Sequence, residues 1–132
     1  MSAAMSARCN LLVRMGAMVV LAVALAPRAG AQDVGRGEDV FAAECAECHS
    51  VKAGRNKKGP SLFAIVGRRA GIVGDFAYSD PLLRSNIVWT PDKLREYLRA
   101  PKQFVPGGKM KYDGLGNVDD LNHLLAYLAT LK

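Results

Sequence analysis

Cys45-Ala46-Glu47-Cys48-His49 limits what this chain can fold into more than any other stretch of it. If the segment is helical, positions i, i+3 and i+4 share a face, so both thiols and the imidazole leave one turn on a common side. A redox dithiol, a structural zinc site and a plain disulfide are the ordinary alternatives. A thioredoxin-like pair needs a strand–helix scaffold, and the sequence offers no convincing strand. A zinc site needs a fourth ligand. Outside residues 1–31 the one other histidine or cysteine is His123, which the pattern places on the exposed side of the last helix, far from the cluster. A disulfide leaves His49 without a role. The remaining reading is the attachment pattern of a c-type haem: two thiols add to two vinyl groups while the imidazole reaches the iron.

The start of the chain indicates where such chemistry takes place. Arg8 and Arg14 supply positive charge, Met15–Ala26 is an uninterrupted apolar run of 12 residues, and Ala29-Gly30-Ala31 offers small residues for cleavage. This is the order of a secretory signal. Residues 1–31 are expected to be removed, leaving a single domain over 32–132 that begins at Gln32. The run falls short of the roughly 20 residues a membrane span requires, so no stable membrane insertion is expected after cleavage. No twin-arginine pair occurs there, which points to export of the unfolded chain, attachment of the cofactor afterwards and a bacterial periplasm as destination. Cys9 leaves with the signal.

Cleavage also removes three arginines and no acid, so the formal charge falls from +6 to +3. Basic and acidic residues are interleaved in what remains, which argues against nucleic-acid binding. A charge-steered encounter with an acidic protein surface stays compatible with it.

Helical periodicity predicts a first helix over Glu38–His49, with Val40, Phe41, Cys45 and Cys48 at helical spacing and its acids placed to suit the helix dipole. A short helical turn is expected at Leu62–Val66 and another at Pro81–Ser85, separated by glycine-containing loops. Thr90-Pro91 opens a better helix, with Leu94, Tyr97 and Leu98 as its apolar stripe and Pro101 as its stop. Residues 101–116, rich in proline and glycine around Met110, read as an extended loop. A last helix from about Asn117 carries Leu121, Leu124, Leu125, Leu128 and Leu131 on one face. Helices this short with loops this long cannot supply a core among themselves, whereas a large apolar cofactor can.

In order and nearly without gaps, CAECH, Gly59-Pro60-Ser61-Leu62, Gly67-Arg68, Phe76-Ala77-Tyr78-Ser79, Trp89, Tyr97-Leu98 and Pro106-Gly107-Gly108-Lys109-Met110 follow a known pattern. It resembles that of the class I cytochromes c, and within them the mitochondrial cytochrome c and bacterial cytochrome c2 group, over residues 35–131. The resemblance implies an all-α class I cytochrome c fold, short helices and long loops wrapped around one haem c, covalent through Cys45 and Cys48. It implies His49 and Met110 as axial iron ligands and a Pro60 carbonyl that orients the His49 ring. Tyr78 and Trp89 are then donors to a buried propionate with Arg68 as its charge partner, and Tyr97 lies beside the Met110 sulfur. Gly37, Phe41, Leu124 and Tyr127 resemble the crossing of the first and last helices.

The implied function is a soluble one-electron carrier, not an enzyme, in a respiratory, photosynthetic or dehydrogenase chain. The expected partners are a cytochrome bc1-type donor, an oxidase, a reaction centre or a dehydrogenase. They would be met by a monomer in transient contact near Lys102, Lys109 and Lys111. The alternative is a haem peroxidase or gas sensor in which Met110 is displaceable. The sequence departs from the pattern at Gly108, where a threonine is usual, at Leu82 and at Tyr112. It departs again at Glu44, where mitochondrial proteins carry a docking lysine.

Overall fold

The computed structural model describes residues 31–132, so the signal expected over 1–31, with Cys9, falls outside the described residues apart from Ala31. Among the described residues five helices follow one another: α1 (Val34–Glu44), α2 (Asp80–Arg84), α3 (Pro91–Arg99), α4 (Pro101–Phe104) and α5 (Val118–Thr130). Local chemistry sets most of their starts. Asp33 accepts from the Arg36 amide at 3.1 Å, Thr90 from the Lys93 amide at 3.2 Å, and Asn117 from the Asp119 and Asp120 amides at 2.9 and 3.1 Å. Each side chain satisfies amides that the first helical turn leaves unpaired. No strand forms among the described residues; an isolated antiparallel bridge pairs Arg69 with Val88.

α1 and α5 make the most extensive helix contact and α3 packs on α5 as well. At the crossing, a Cβ on Gly37 would stand 2.0 Å from the His123 carbonyl oxygen and 2.7 Å from the Tyr127 Cβ. Only hydrogen at that position allows the two backbones so close. The Phe41 and Tyr127 rings meet there at 5.7 Å, and Leu121 and Leu124 are almost wholly buried beneath them.

Four expectations are corrected. α1 begins at Val34 and ends at Glu44, so Glu38 and Asp39 lie beyond its first turn and the cysteines lie beyond its last. The Phe41 carbonyl accepts from both the Cys45 and Ala46 amides, at 2.9 Å each, which widens the final turn and releases the chain from the helix. Leu62–Val66 is not helical: Ala64 adopts a positive φ of 51°, and two tight turns replace the helix. Pro101 does stop α3, yet it also opens α4 inside the segment expected to be irregular throughout. His123 is buried, not exposed; its Nδ1 accepts the Asp33 amide at 2.8 Å and so ties the start of α1 to α5.

Candidate functional site

A cavity of about 470 Å³ opens between the segment after α1, the loops ahead of α3 and the segment after α4. Leu62, Ile65, Leu94, Leu98, Val105 and Leu128 make much of its wall apolar. Cys45, Cys48, His49, Pro60, Arg68, Tyr78, Trp89, Tyr97 and Met110, drawn from across the sequence, all line it.

Cys45 to His49 form one separate turn, closed by the His49 amide on the Cys45 carbonyl at 2.9 Å. Both thiols are free. Burial first, and then the neighbouring Glu44 and Cys48, push the Cys45 thiol up to about 11. A charged thiolate is therefore disfavoured at that place, whereas a thioether there would carry no charge to desolvate.

His49 donates from Nδ1 to the Pro60 carbonyl at 2.7 Å. That bond leaves Nε2 as the unprotonated nitrogen, the form that ligates a metal. Burial holds the imidazole below its ordinary pKa against the opposing pull of the Pro60 carbonyl. No fully buried side-chain nitrogen or oxygen lacks a partner among the described residues, so Nε2, which has no hydrogen bond among them, is not fully enclosed, and His49 lines the cavity. Gly59 presses on the ring from behind: a Cβ there would stand 2.4 Å from Cε1.

At the far side of the sequence, the Tyr97 hydroxyl donates to the Met110 sulfur at 3.6 Å. Tyr97 is itself wedged between Trp89, with ring centres 4.9 Å apart, and Phe104, at 6.0 Å. Burial raises its phenol above the ordinary value, so the hydroxyl keeps the proton it donates.

The polar corner of the cavity is built from donors. Arg68 gives its two terminal nitrogens to the Phe63 and Ser61 carbonyls at 2.7 and 2.8 Å, which fixes the guanidinium in place. Tyr78 accepts the Val73 amide at 3.3 Å and retains its own hydroxyl hydrogen for the cavity. Trp89 is buried, but its indole nitrogen has no partner among the described residues and is not fully enclosed.

These residues fit a covalent haem: two free thiols, an oriented imidazole and a held thioether face one largely apolar volume, with donors for a carboxylate at one corner. The alternatives lose ground by the same geometry. Among the described residues no three or more His, Cys, Asp or Glu side chains are grouped as metal ligands, and no strand supports a thioredoxin-like pair.

Lys58 and Lys109 line the cavity, the first paired with Glu47 and the second donating to the Ala77 carbonyl at 3.0 Å; outside it, Lys102 pairs with Asp113. Tyr112 donates to Glu44 at 2.9 Å, and its phenol is raised well above the ordinary range by burial and by that carboxylate. Sequence reasoning gave no role to Gly59, although its place before Pro60 in a histidine-supporting loop was a usable signal. It also missed the Glu44–Tyr112 pair, which no local pattern announces.

The Cytochrome c family model matches residues 34–132. The chain is 47% identical over 88 residues to cytochrome c2 iso-2 of Magnetospirillum molischianum, covering 67% of this chain and 91% of the relative. It is 44% identical over 112 residues to cytochrome c2 of Blastochloris viridis, covering 84% and 87%. With cytochrome c of Gibberella zeae it shares 43% over 97 residues, covering 73% and 92%. The cavity and the relatives lead to one conclusion: the chain belongs to the cytochrome c family, in its class I cytochrome c2 group, and is an electron-transfer protein with one covalent haem c, not an enzyme.

Proposed function

We propose that the chain is an exported, periplasmic one-electron carrier in which Cys45 and Cys48 bind the haem and His49 and Met110 ligate its iron. The observation that carries the reading is the arrival of Met110, its sulfur held by Tyr97 at 3.6 Å, in the cavity that the Cys45–His49 turn lines. Bound haem supplies a reversible ferric–ferrous couple. With His49 and Met110 holding it, the iron would have no position open to oxygen or peroxide, and the soft Met110 thioether would favour its ferrous state. The Pro60 carbonyl sets the donor strength of His49 through Nδ1. Tyr78, Trp89 and Arg68 supply hydrogen bonds and charge to a propionate that would be costly to bury unpaired.

The partners are larger redox proteins of the membrane or periplasm: a bc1-type donor, and an oxidase, reaction centre or dehydrogenase. A monomer meets them briefly through the cavity mouth. Of the three lysines expected to meet them, Lys102 is engaged by Asp113 and Lys109 by a carbonyl, while Lys111 has no partner among the described residues. A weak contact with modest dependence on salt follows. No helix among the described residues is long and apolar enough to cross a membrane.

The visible spectrum of the purified ferric and ferrous protein tests the assignment. A weak far-red band of sulfur-ligated ferric haem, with no carbon monoxide uptake by the reduced protein at neutral pH, is the expected result. Covalent haem without that band, or ready uptake of carbon monoxide, would exclude Met110 as a firm ligand and favour a peroxidase or gas sensor. The intact mass of the periplasmic product, expected to start at Gln32, tests export and cleavage.

A further inference from the structure

The segment that carries Met110 has little backbone structure of its own. The Gly108 amide reaches the Val105 carbonyl at 3.1 Å and the Leu115 amide reaches the Leu98 carbonyl at 2.8 Å, but no backbone–backbone hydrogen bond joins residues 109–114 to any described residue. Side chains hold it instead. Lys109 reaches the Ala77 carbonyl, Tyr97 the Met110 sulfur, and Lys102 pairs with Asp113. Tyr112 donating to Glu44 is the tie that runs to the wall bearing the thiols, because Glu44 ends α1 and directly precedes Cys45.

We propose that Glu44 and Tyr112 form a clasp that positions Met110, closing its segment onto the turn that attaches the haem and limiting how often the sulfur leaves the iron. The proposal rests on the reading of Met110 as an axial ligand. The structure joins Glu44 and Tyr112 at 2.9 Å, across 68 residues of sequence. Both line the cavity mouth. The tyrosine suits such a clasp. Its ring is half-buried against the core together with Cys45, and with two side-chain torsions it loses little entropy when held. The lysines that tie the same segment are exposed and flexible, and such contacts contribute little.

A clasp differs from an incidental surface hydrogen bond in what it controls. Imidazole binds ferric haem here only when the methionine has moved away, so its apparent affinity reports the population of the open segment. Tyr112→Phe keeps the ring and removes the donor. It should raise the apparent imidazole affinity of the ferric protein about fivefold, the effect of losing one partly exposed hydrogen bond. Glu44→Ala should match it, and the double variant should add little to either, because the two residues act through one interaction. Glu44→Gln, which retains an acceptor, should fall between wild type and Glu44→Ala. The denaturant midpoint should move far less than a core substitution would move it.

Unchanged imidazole affinity in both Tyr112→Phe and Glu44→Ala, with the far-red band present, would overturn the clasp and leave the ligand assignment standing. Effects that simply add in the double variant would overturn it as well. If the wild-type protein lacks the far-red band, the ligand assignment fails first and the clasp falls with it, before any variant is made.

Discussion

Tyr97 and Gly59 act on the two proposed iron ligands in different ways, one through charge distribution and the other through space. The Tyr97 hydroxyl withdraws electron density from the Met110 sulfur across 3.6 Å, and a weaker sulfur donor stabilises ferric iron less. Removing the hydroxyl in Tyr97→Phe should therefore lower the reduction potential. With a differential hydrogen-bond worth of about 0.5–1 kcal/mol, the shift is roughly 20–45 mV, measurable by redox titration against the unaltered protein. An unchanged or raised potential would show that the hydroxyl does not tune the sulfur. Gly59 works by its lack of a side chain. A Cβ at 2.4 Å from the His49 ring forces the ring away from the Pro60 carbonyl, so Gly59→Ala should cost about 1–3 kcal/mol in denaturant unfolding. It should also shift the haem absorption bands, and a variant with native spectrum and native stability would mean that the ring has room to yield.

α1 and α5 cross so closely that a single methyl group is enough to separate them. The atom that a Gly37→Ala methyl would strike is a backbone carbonyl oxygen, at 2.0 Å, and a helix backbone cannot swing aside as a flexible side chain can. The expected cost is about 3 kcal/mol, with loss of the Asp33–His123 hydrogen bond that ties the same two helices; chemical denaturation and hydrogen exchange of the Asp33 amide would show both. A loss below about 1 kcal/mol would mean that the helices can shift apart without breaking that contact. This crossing was legible in the sequence through Gly37, Phe41, Leu124 and Tyr127, and α3 was legible because Thr90, Pro91 and Pro101 mark both of its ends. The end of α1 was not, since periodicity continues smoothly through Cys48 while the amides of Cys45 and Ala46 share one carbonyl. His123 was misplaced for a related reason: the pattern gave the apolar face of α5 but not the incoming Asp33 amide, a contact across 90 residues that turns a polar position into a buried and satisfied one. The predicted site residues meet in one cavity because they follow ordered motifs, and a motif carries long-range information that local propensity lacks.

On the scale of the whole molecule, the cavity sets the terms of stability. At about 24 cal/mol per Å³, leaving a volume of about 470 Å³ unfilled costs on the order of 11 kcal/mol. The mouth is open, so that figure is an upper bound, but it matches the entire 5–15 kcal/mol by which domains of this size are stable. The walls include Ile65, Trp89, Leu94, Leu98 and Leu128, which are also members of the main buried cluster, so the cavity cannot collapse without dismantling the core around it. Fold and cofactor are therefore expected to act as one thermodynamic unit, the short helices and long loops forming a shell around haem. A Cys45→Ala, Cys48→Ala chain, unable to attach haem covalently and purified free of it, should lose most of its helical circular dichroism at 25 °C. It should also unfold without a cooperative transition and bind a dye that reports exposed apolar surface. Native helicity and a sharp unfolding transition in that chain would mean that α1, α3 and α5 hold one another without the cofactor. Export of an unfolded precursor would then have to compete with folding before attachment, where the proposed order of events has the two thiols meeting haem while the chain around them is still open.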